Sequence, residues 1–333
     1  VEPFDAITDY LAQGKRGALA TIISRVGATP RDAGAKVFIG EDGKIYGTIG
    51  GGCMEAEVWQ HAKAVIDNGE VKSLRYSLNG RTVEDEGMIC GGTAEIFLEP
   101  VTAKQKEVYD TLMQCISHGE RVIMVTKADG PPFEKILVAR HGAATGDMLP
   151  LVLEKNIDGY FRNKGPRVQN GYLIEAIAPP PHLYIYGAGH ISQYISTMAK
   201  LVDFYVTVID DRSQFANRDR FLEADEIIVE EFKKVFEKVR PPRSGYAVIV
   251  TRGHKHDAAV LEEVLKRPPQ YIGMIGSKRK VKIIYDDLID KGFKEDLLST
   301  IHAPIGIDIG GETPQEIAVS IVAELIKARS NCV

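Results

Sequence analysis

Cysteine is scarce. Four residues, Cys53, Cys90, Cys115 and Cys332, are spread over 333 positions, and no two form a CxxC pair. That argues against a tetrahedral zinc knuckle and fits a reducing cytoplasm better than a disulfide-stapled secreted domain. Strong basicity is missing too. With 41 lysines and arginines against 46 acidic residues, the net charge of −5 argues against sequence-independent nucleic-acid binding, which rests on a cationic surface. No apolar run approaches the ~18 residues of a membrane span. The opening VEPFDAITDYLAQGK carries early acids and no basic-then-apolar signal pattern, and reads as an amphipathic helix. Neither a low-complexity tract nor an internal repeat is visible. What remains is an ordinary apolar fraction of 44%, enough for proper cores in about two domains.

The chain is punctuated at AIAPPPHLYIYGAGH, where Pro179, Pro180 and Pro181 make a stiff extended connector. It separates an N-terminal domain over 1–178 from a C-terminal domain over 183–333, with the linker at 179–182. In the first, GALATIISRV (17–26), AKVFIG (35–40) and KIYGTIG (44–50) read as strands. CMEAEVWQHAKAVIDNG (53–69) has apolar residues at helical spacing and Gly69 as its stop. VKSLRYSL, TAEIFLEPV, RVIMVTK and ILVAR return to strand character around a helix at 105–118, giving an α+β domain; the polar, glycine-rich 141–170 shows no clear element. In the second, short apolar strands alternate with helices, the pattern of a doubly wound parallel sheet, so the whole is α/β. Thr313-Pro314-Gln315-Glu316 is a capping box opening the last helix.

Two stretches carry the chemistry. In GTIGGGCMEAEV, Gly50, Gly51 and Gly52 run into Cys53 at the start of a helix. Consecutive glycines suit a tight turn or a close ligand approach, and a helix N-terminus favours a thiolate. Cys90 stands before Gly91 and Gly92 in MICGGTAEIF, so two glycine-flanked cysteines suggest one pocket; buried apolar packing is the plainer alternative for each. Cys115 reads as core and Cys332 as a tail residue. Arg31 and Lys36 can add positive charge beside the glycine loop. In YIYGAGHISQYI, Gly187 and Gly189 follow a strand and open a helix, with His190 at its start and Asp210 at the end of the next strand. That is the setting for a phosphate or nucleotide, with Asp210 on a ribose hydroxyl, although Ser192 replaces the usual third glycine and is expected to push the helix off the sheet. His254, His256 and Asp257 in TRGHKHD, and Lys278, Arg279 and Lys280 in GSKRK, lie at the same sheet edge as either ligand groups or solvated loop residues. These features leave open an NAD(P)-dependent oxidoreductase, or a redox sensor with a reversible Cys53–Cys90 disulfide.

Taken together, ATIISRVGATPRDAGAKVFI, GTIGGGCMEAEV, CGGTAEIFLEP, YIYGAGH, TVIDDR, RFLEADE, YIGMIGSKRK and IGIDIGGETPQEIAVSIVAEL resemble the XdhC/CoxI family over nearly the whole chain. The family comprises accessory proteins of bacterial xanthine dehydrogenase and related molybdenum hydroxylases. The resemblance implies an N-terminal XdhC/CoxI domain, a Rossmann-like second domain and a homodimer. It also implies a chaperone that binds the molybdenum cofactor, a phosphorylated pterin dithiolene, while a cysteine desulfurase sulfurates it, and then inserts it into the apo molybdenum subunit. Gly51, Gly52 and Cys53, then Cys90, Gly91 and Gly92, then Gly187 to His190 match the family's motifs. On that basis Cys53 is the expected ligand of molybdenum or its sulfur. The chain is too short for the hydroxylase's own iron–sulfur, flavin and molybdenum domains and has too few cysteines for two clusters.

Overall fold

The computed structural model describes residues 3–77, 92–130, 133–140, 144–162 and 165–331, and the chain divides into two units, 1–179 and 180–333. The first unit runs α1 (Phe4–Ala12), β1 (Gly17–Val26), β2 (Lys36–Gly40), β3 (Ile45–Gly47), α2 (Gly52–Asn68), β4 (Lys72–Ser77) and β5 (Thr93–Val101). It continues with α3 (Lys106–Ser117), β6 (Val122–Lys127), β7 (Lys135–Ala139), β8 (Ala144–Gly146), α4 (Leu151–Glu154), α5 (Ile157–Tyr160), β9 (Arg167–Gln169) and β10 (Tyr172–Ile177). Within 141–170 the described residues thus hold pieces of three or four residues, too short to show a period in sequence.

The strands form two antiparallel sheets, ordered β3-β2-β1-β5-β4 and β8-β7-β6-β10-β9. This is one order used twice, and the reading of no internal repeat is corrected here. Thr21 faces Lys36 across β1 and β2, as Thr126 faces Lys135 across β6 and β7. Leu19 faces Glu99, as Met124 faces Glu175. Gly14 and Gly119 take φ of 72° and 73° ahead of the first strand of each half. A Cβ on Gly47 would fall 2.6 Å from the carbonyl oxygen of Lys36, and one on Gly146 2.3 Å from that of Lys135. The repeat escapes a sequence scan because each half keeps only a threonine, a lysine, a glutamate and a few glycines. The connections also differ: Thr21 and Lys36 are 15 residues apart, Thr126 and Lys135 nine.

The halves meet over a core of α1, α3 and one face of each sheet, where the rings of the equivalent Phe4 and Tyr109 lie 6.3 Å apart. Their charges cross over. Lys36 of the first sheet pairs with Glu175 of the second, and Lys135 of the second with Glu99 of the first. Lys36 is therefore part-buried and paired with Glu175, and does not lend charge to the glycine loop. Against the outer face of the first sheet lies α2, through Met54, Val58, Ala62 and Val65, the helical spacing read from sequence.

The second unit comprises β11 (His182–Tyr186), α6 (His190–Leu201), β12 (Tyr205–Asp210), β13 (Glu226–Val229), α7 (Phe232–Lys238) and β14 (Tyr246–Ile249). Then come α8 (His254–Leu265), β15 (Tyr271–Met274), α9 (Lys278–Asp290), α10 (Glu295–Leu298) and α11 (Pro314–Asn331). Its strands are all parallel in the order β13-β12-β11-β14-β15. Strands such as YAVI are buried along their whole length because helices cover both faces, α6 and α11 on one and α7, α8 and α9 on the other. The strand order reverses between β11 and β14, which places a crevice at their carboxyl ends. Thr313 and Glu316 exchange the reciprocal hydrogen bonds of the capping box. Among the described residues no helix is long and apolar enough to cross a membrane.

Candidate functional site

The glycine loop sits at the start of α2. Gly50, Gly51 and Gly52 take φ of 127°, 77° and 64°, a conformation closed to most side chains. Gly50 has a second constraint, since a Cβ there would come 2.6 Å from Cβ of Pro30. Around Gly51 the same test meets nothing within 4 Å, so the loop is open on that side. Cys53 follows on the first helical turn and is exposed.

Sequence reasoning missed Glu55. Its Oε1 accepts the N–H of Ile49 at 2.9 Å, the N–H of Gly51 at 3.0 Å and the hydroxyl of Thr48. Burial pushes this carboxyl up, but the bonds from Thr48, Gly51, Ile49 and Gly50 outweigh it and hold it below the usual carboxylate range. The loop therefore brings its own anion, and part of its donor capacity is already spent. An acid on the first turn of an uncapped helix was the available signal. What the loop offers outward is the soft sulfur of Cys53 rather than an empty phosphate cradle.

Cys90 and Gly91 lie outside the described residues, as does Cys332. Gly92 is buried, and a Cβ on it would fall 2.2 Å from the carbonyl oxygen of Ala28. The Val26–Pro30 turn thus presses on Gly92 from one side and Gly50 from the other, so the two glycine segments share a support. Cys115 is buried in α3, where burial and the nearby charge of Glu120 push its thiol up, as expected of a core residue.

In the second unit Gly187, with φ of 110°, leaves no room for a side chain; a Cβ would lie 2.4 Å from the carbonyl oxygen of Val250. Gly189 caps α6 without a side-chain hydrogen bond, and His190 is exposed at the first helical position. Ser192 is fully buried and its hydroxyl finds no partner among the described residues. Asp210 does not face outward. Its carboxylate accepts the N–H of Ala188 at 2.7 Å, the N–H and Nε of Arg212 at 3.0 and 2.9 Å, and Nη2 of Arg212 at 3.0 Å. Burial opposes its ionisation, yet the Arg212 guanidinium and these backbone donors hold it below the usual range. As built, it ties the glycine turn to β12, and a ribose hydroxyl would have to displace Arg212 to reach it.

Asp257 is wholly buried, accepting the N–H and hydroxyl of Thr251 at 3.0 and 2.6 Å and bonding Lys280. Lys280 is thereby folded inward, whereas Lys278 and Arg279 are exposed. His256 leans on Phe232, and His254 is exposed. Among the described residues no group of three or more His, Cys, Asp or Glu is placed to hold a metal ion.

A glycine-loop cysteine domain followed by a doubly wound nucleotide-type domain defines the class. Residues 10–77 match the XdhC and CoxI family and residues 183–325 the XdhC Rossmann domain; the chain belongs to the XdhC and CoxI family. It is 26% identical to a Bacillus subtilis (strain 168) protein named as a probable xanthine dehydrogenase subunit, over 98% of this chain and 97% of that one. It is 21% identical to the "Molybdenum cofactor insertion chaperone PaoD" of Escherichia coli K12, over 96% of this chain and 86% of that one. A crystal structure described as a xanthine dehydrogenase from Bacillus halodurans superposes with a TM-score of 0.84 at 26% identity, covering 98% of this chain and 96% of that one.

Proposed function

We propose that this chain is an accessory protein of a xanthine dehydrogenase or related molybdenum hydroxylase, which holds the molybdenum cofactor and delivers it to the apo molybdenum subunit. Cys53 carries the reading: an exposed soft donor presented by three positive-φ glycines. A resident metal site would need several convergent side chains, and none is found among the described residues. A metal that arrives with its own dithiolene sulfurs needs only one more soft ligand, and the donor set fits that cargo. The open side of the loop at Gly51 leaves room for a bulky group against the backbone. The likeness to PaoD supports the insertion role, and sulfuration by a cysteine desulfurase while the cofactor is held completes the proposal. The crevice of the second unit, where Gly187 and Gly189 lead into the N-terminus of α6, suits a phosphate group, from the cofactor or from a separate nucleotide.

The test is anaerobic purification from a molybdenum-replete host, with metal analysis and pterin fluorescence, of the native chain and Cys53→Ala. Molybdenum and pterin near one per chain in the first and lost in the folded second support the reading. Their absence from the native chain, even after incubation with free cofactor, would overturn it.

A further inference from the structure

A Rossmann crevice that takes a free ribose diol presents a carboxylate at the end of its second strand. Here that position is Asp210, only 1% exposed, and its two oxygens already accept four hydrogen bonds, about their full capacity. The next acid, Asp211, is paired with Arg252 at 2.7 Å. What the crevice edge presents instead is cationic. The guanidinium carbons of Arg212 and Arg220 lie 3.9 and 5.1 Å from the centroid of one ring, Phe215. Arg220 is held beside the glycine turn by Oε1 of Gln193 on α6, at 3.1 Å, and reaches to 3.5 Å from the carbonyl oxygen of Ala188 between the two glycines.

These guanidiniums keep spare donors. The Nε–Nη2 edge of Arg212 is spent on Asp210, which leaves Nη1; Arg220 uses Nη2 on Ala188 and Gln193, which leaves Nη1, since its Nε is enclosed by the protein. Three arginines, 212, 220 and 252, face two aspartates, 210 and 211, and the uncapped N-terminus of α6 adds partial positive charge. A dianionic phosphomonoester matches this surplus and the fork geometry of arginine; a neutral diol matches neither.

We infer that the crevice beside Gly187–Gly189 selects a 2′-phosphorylated dinucleotide over its 2′-hydroxyl counterpart, with Arg220 as the residue that reads the phosphate. This rests on the reading of the crevice as a phosphate site and not on the role of Cys53.

Nicotinamide fluorescence of the full chain titrated with NADPH and with NADH tests it. NADPH is expected to bind about tenfold or more tightly, the usual worth of a charge-assisted contact. Arg220→Ala should bring NADPH affinity down to that of NADH, and Arg220→Lys should restore part of the difference, with thermal melts confirming that both variants fold. Equal binding of the two, or tighter NADH, would refute the selection and leave the crevice reading standing. Binding of neither would remove both. Retention of molybdenum and pterin by the native chain reports separately on the cofactor reading.

Discussion

The ammonium of Lys135 lies 2.6 Å from a carboxylate oxygen of Glu99, joining one sheet of the N-terminal unit to the other with 2% and 1% of the two side chains exposed. Thr126 also accepts from Lys135, at 2.9 Å, while among the described residues Oε1 of Glu99 and the hydroxyl of Tyr109 find no hydrogen-bond partner. Burial raises the Glu99 carboxyl and the charge of Lys135 opposes it. A pair this deep contributes more to register than to net stability, because desolvation consumes most of the attraction.

Breaking one member should therefore be costly and removing both should not. Lys135→Met is expected to lose about 3–5 kcal/mol, since Glu99 loses its partner in the core and must take up a proton there or stay an unpaired charge. The double change Lys135→Met with Glu99→Leu should recover most of that in urea unfolding. A double variant as unstable as the single one would show that shape, not charge, is decisive there. Lys36→Met, the equivalent change in the other half, should act in the same direction.

Glu55 gives a pH signature. Its folded pKa lies below the ordinary value of 4.5, so its contribution to stability is full above that value and is lost as pH falls through the folded pKa. Glu55→Gln should cost about 1–2 kcal/mol at pH 7, and the gap to the native chain should close in strongly acidic buffer. A gap that does not change with pH would mean that the charge of Glu55 is not what holds the loop.

The three glycines should differ in tolerance. Gly51→Ala meets open space and pays only for its backbone, φ 77° with ψ −173°, a region nearly reserved to glycine, about 1–3 kcal/mol. Gly50→Ala adds a collision with Pro30 and should be clearly worse. Thermal melts order the two, and equal losses would refute the packing of Pro30 on Gly50.

Ser192→Ala should stabilise. The change removes a buried hydroxyl that lacks a partner among the described residues and installs the best helix former, for a gain of about 1 kcal/mol. A loss of similar size would reveal a hydrogen bond to the Ser192 hydroxyl.

The second unit was legible because its signals are local. Apolar runs of four to six residues, GAGH after a strand and TPQE before a helix each announce an element without knowledge of the rest. Within the first unit the α2 helix and the major strands could be read for the same reason. The doubled sheet could not, because its evidence is pairing: that Thr21 lies across from Lys36, and Thr126 from Lys135, appears only once strands are laid side by side. Site residues divide the same way. Cys53 and Gly187 are visible by their neighbours in sequence, and the structure places them where the motif puts them. The partners of Asp210 depend on where its side chain turns, inward to Ala188 and Arg212, and spacing alone does not decide that.

The crossed ion pairs of the doubled sheets bear on how the gene can be cut. A chain ended after Val101 keeps Lys36 and Glu99 but loses Glu175 and Lys135, and the complementary fragment inherits the reverse deficit. Each piece then carries one stranded lysine and one stranded glutamate, and each needs the other to neutralise them. Expressed separately, the two fragments should be insoluble or unfolded; expressed together, they should assemble without a covalent bond. Bracing is present in duplicate here, while the glycine–cysteine loop stands only between β3 and α2, because the corresponding stretch after β8 reads DMLP. The half with β6 to β10 thus serves as an internal partner for the half that carries Cys53, held to it through Lys135 and Glu175.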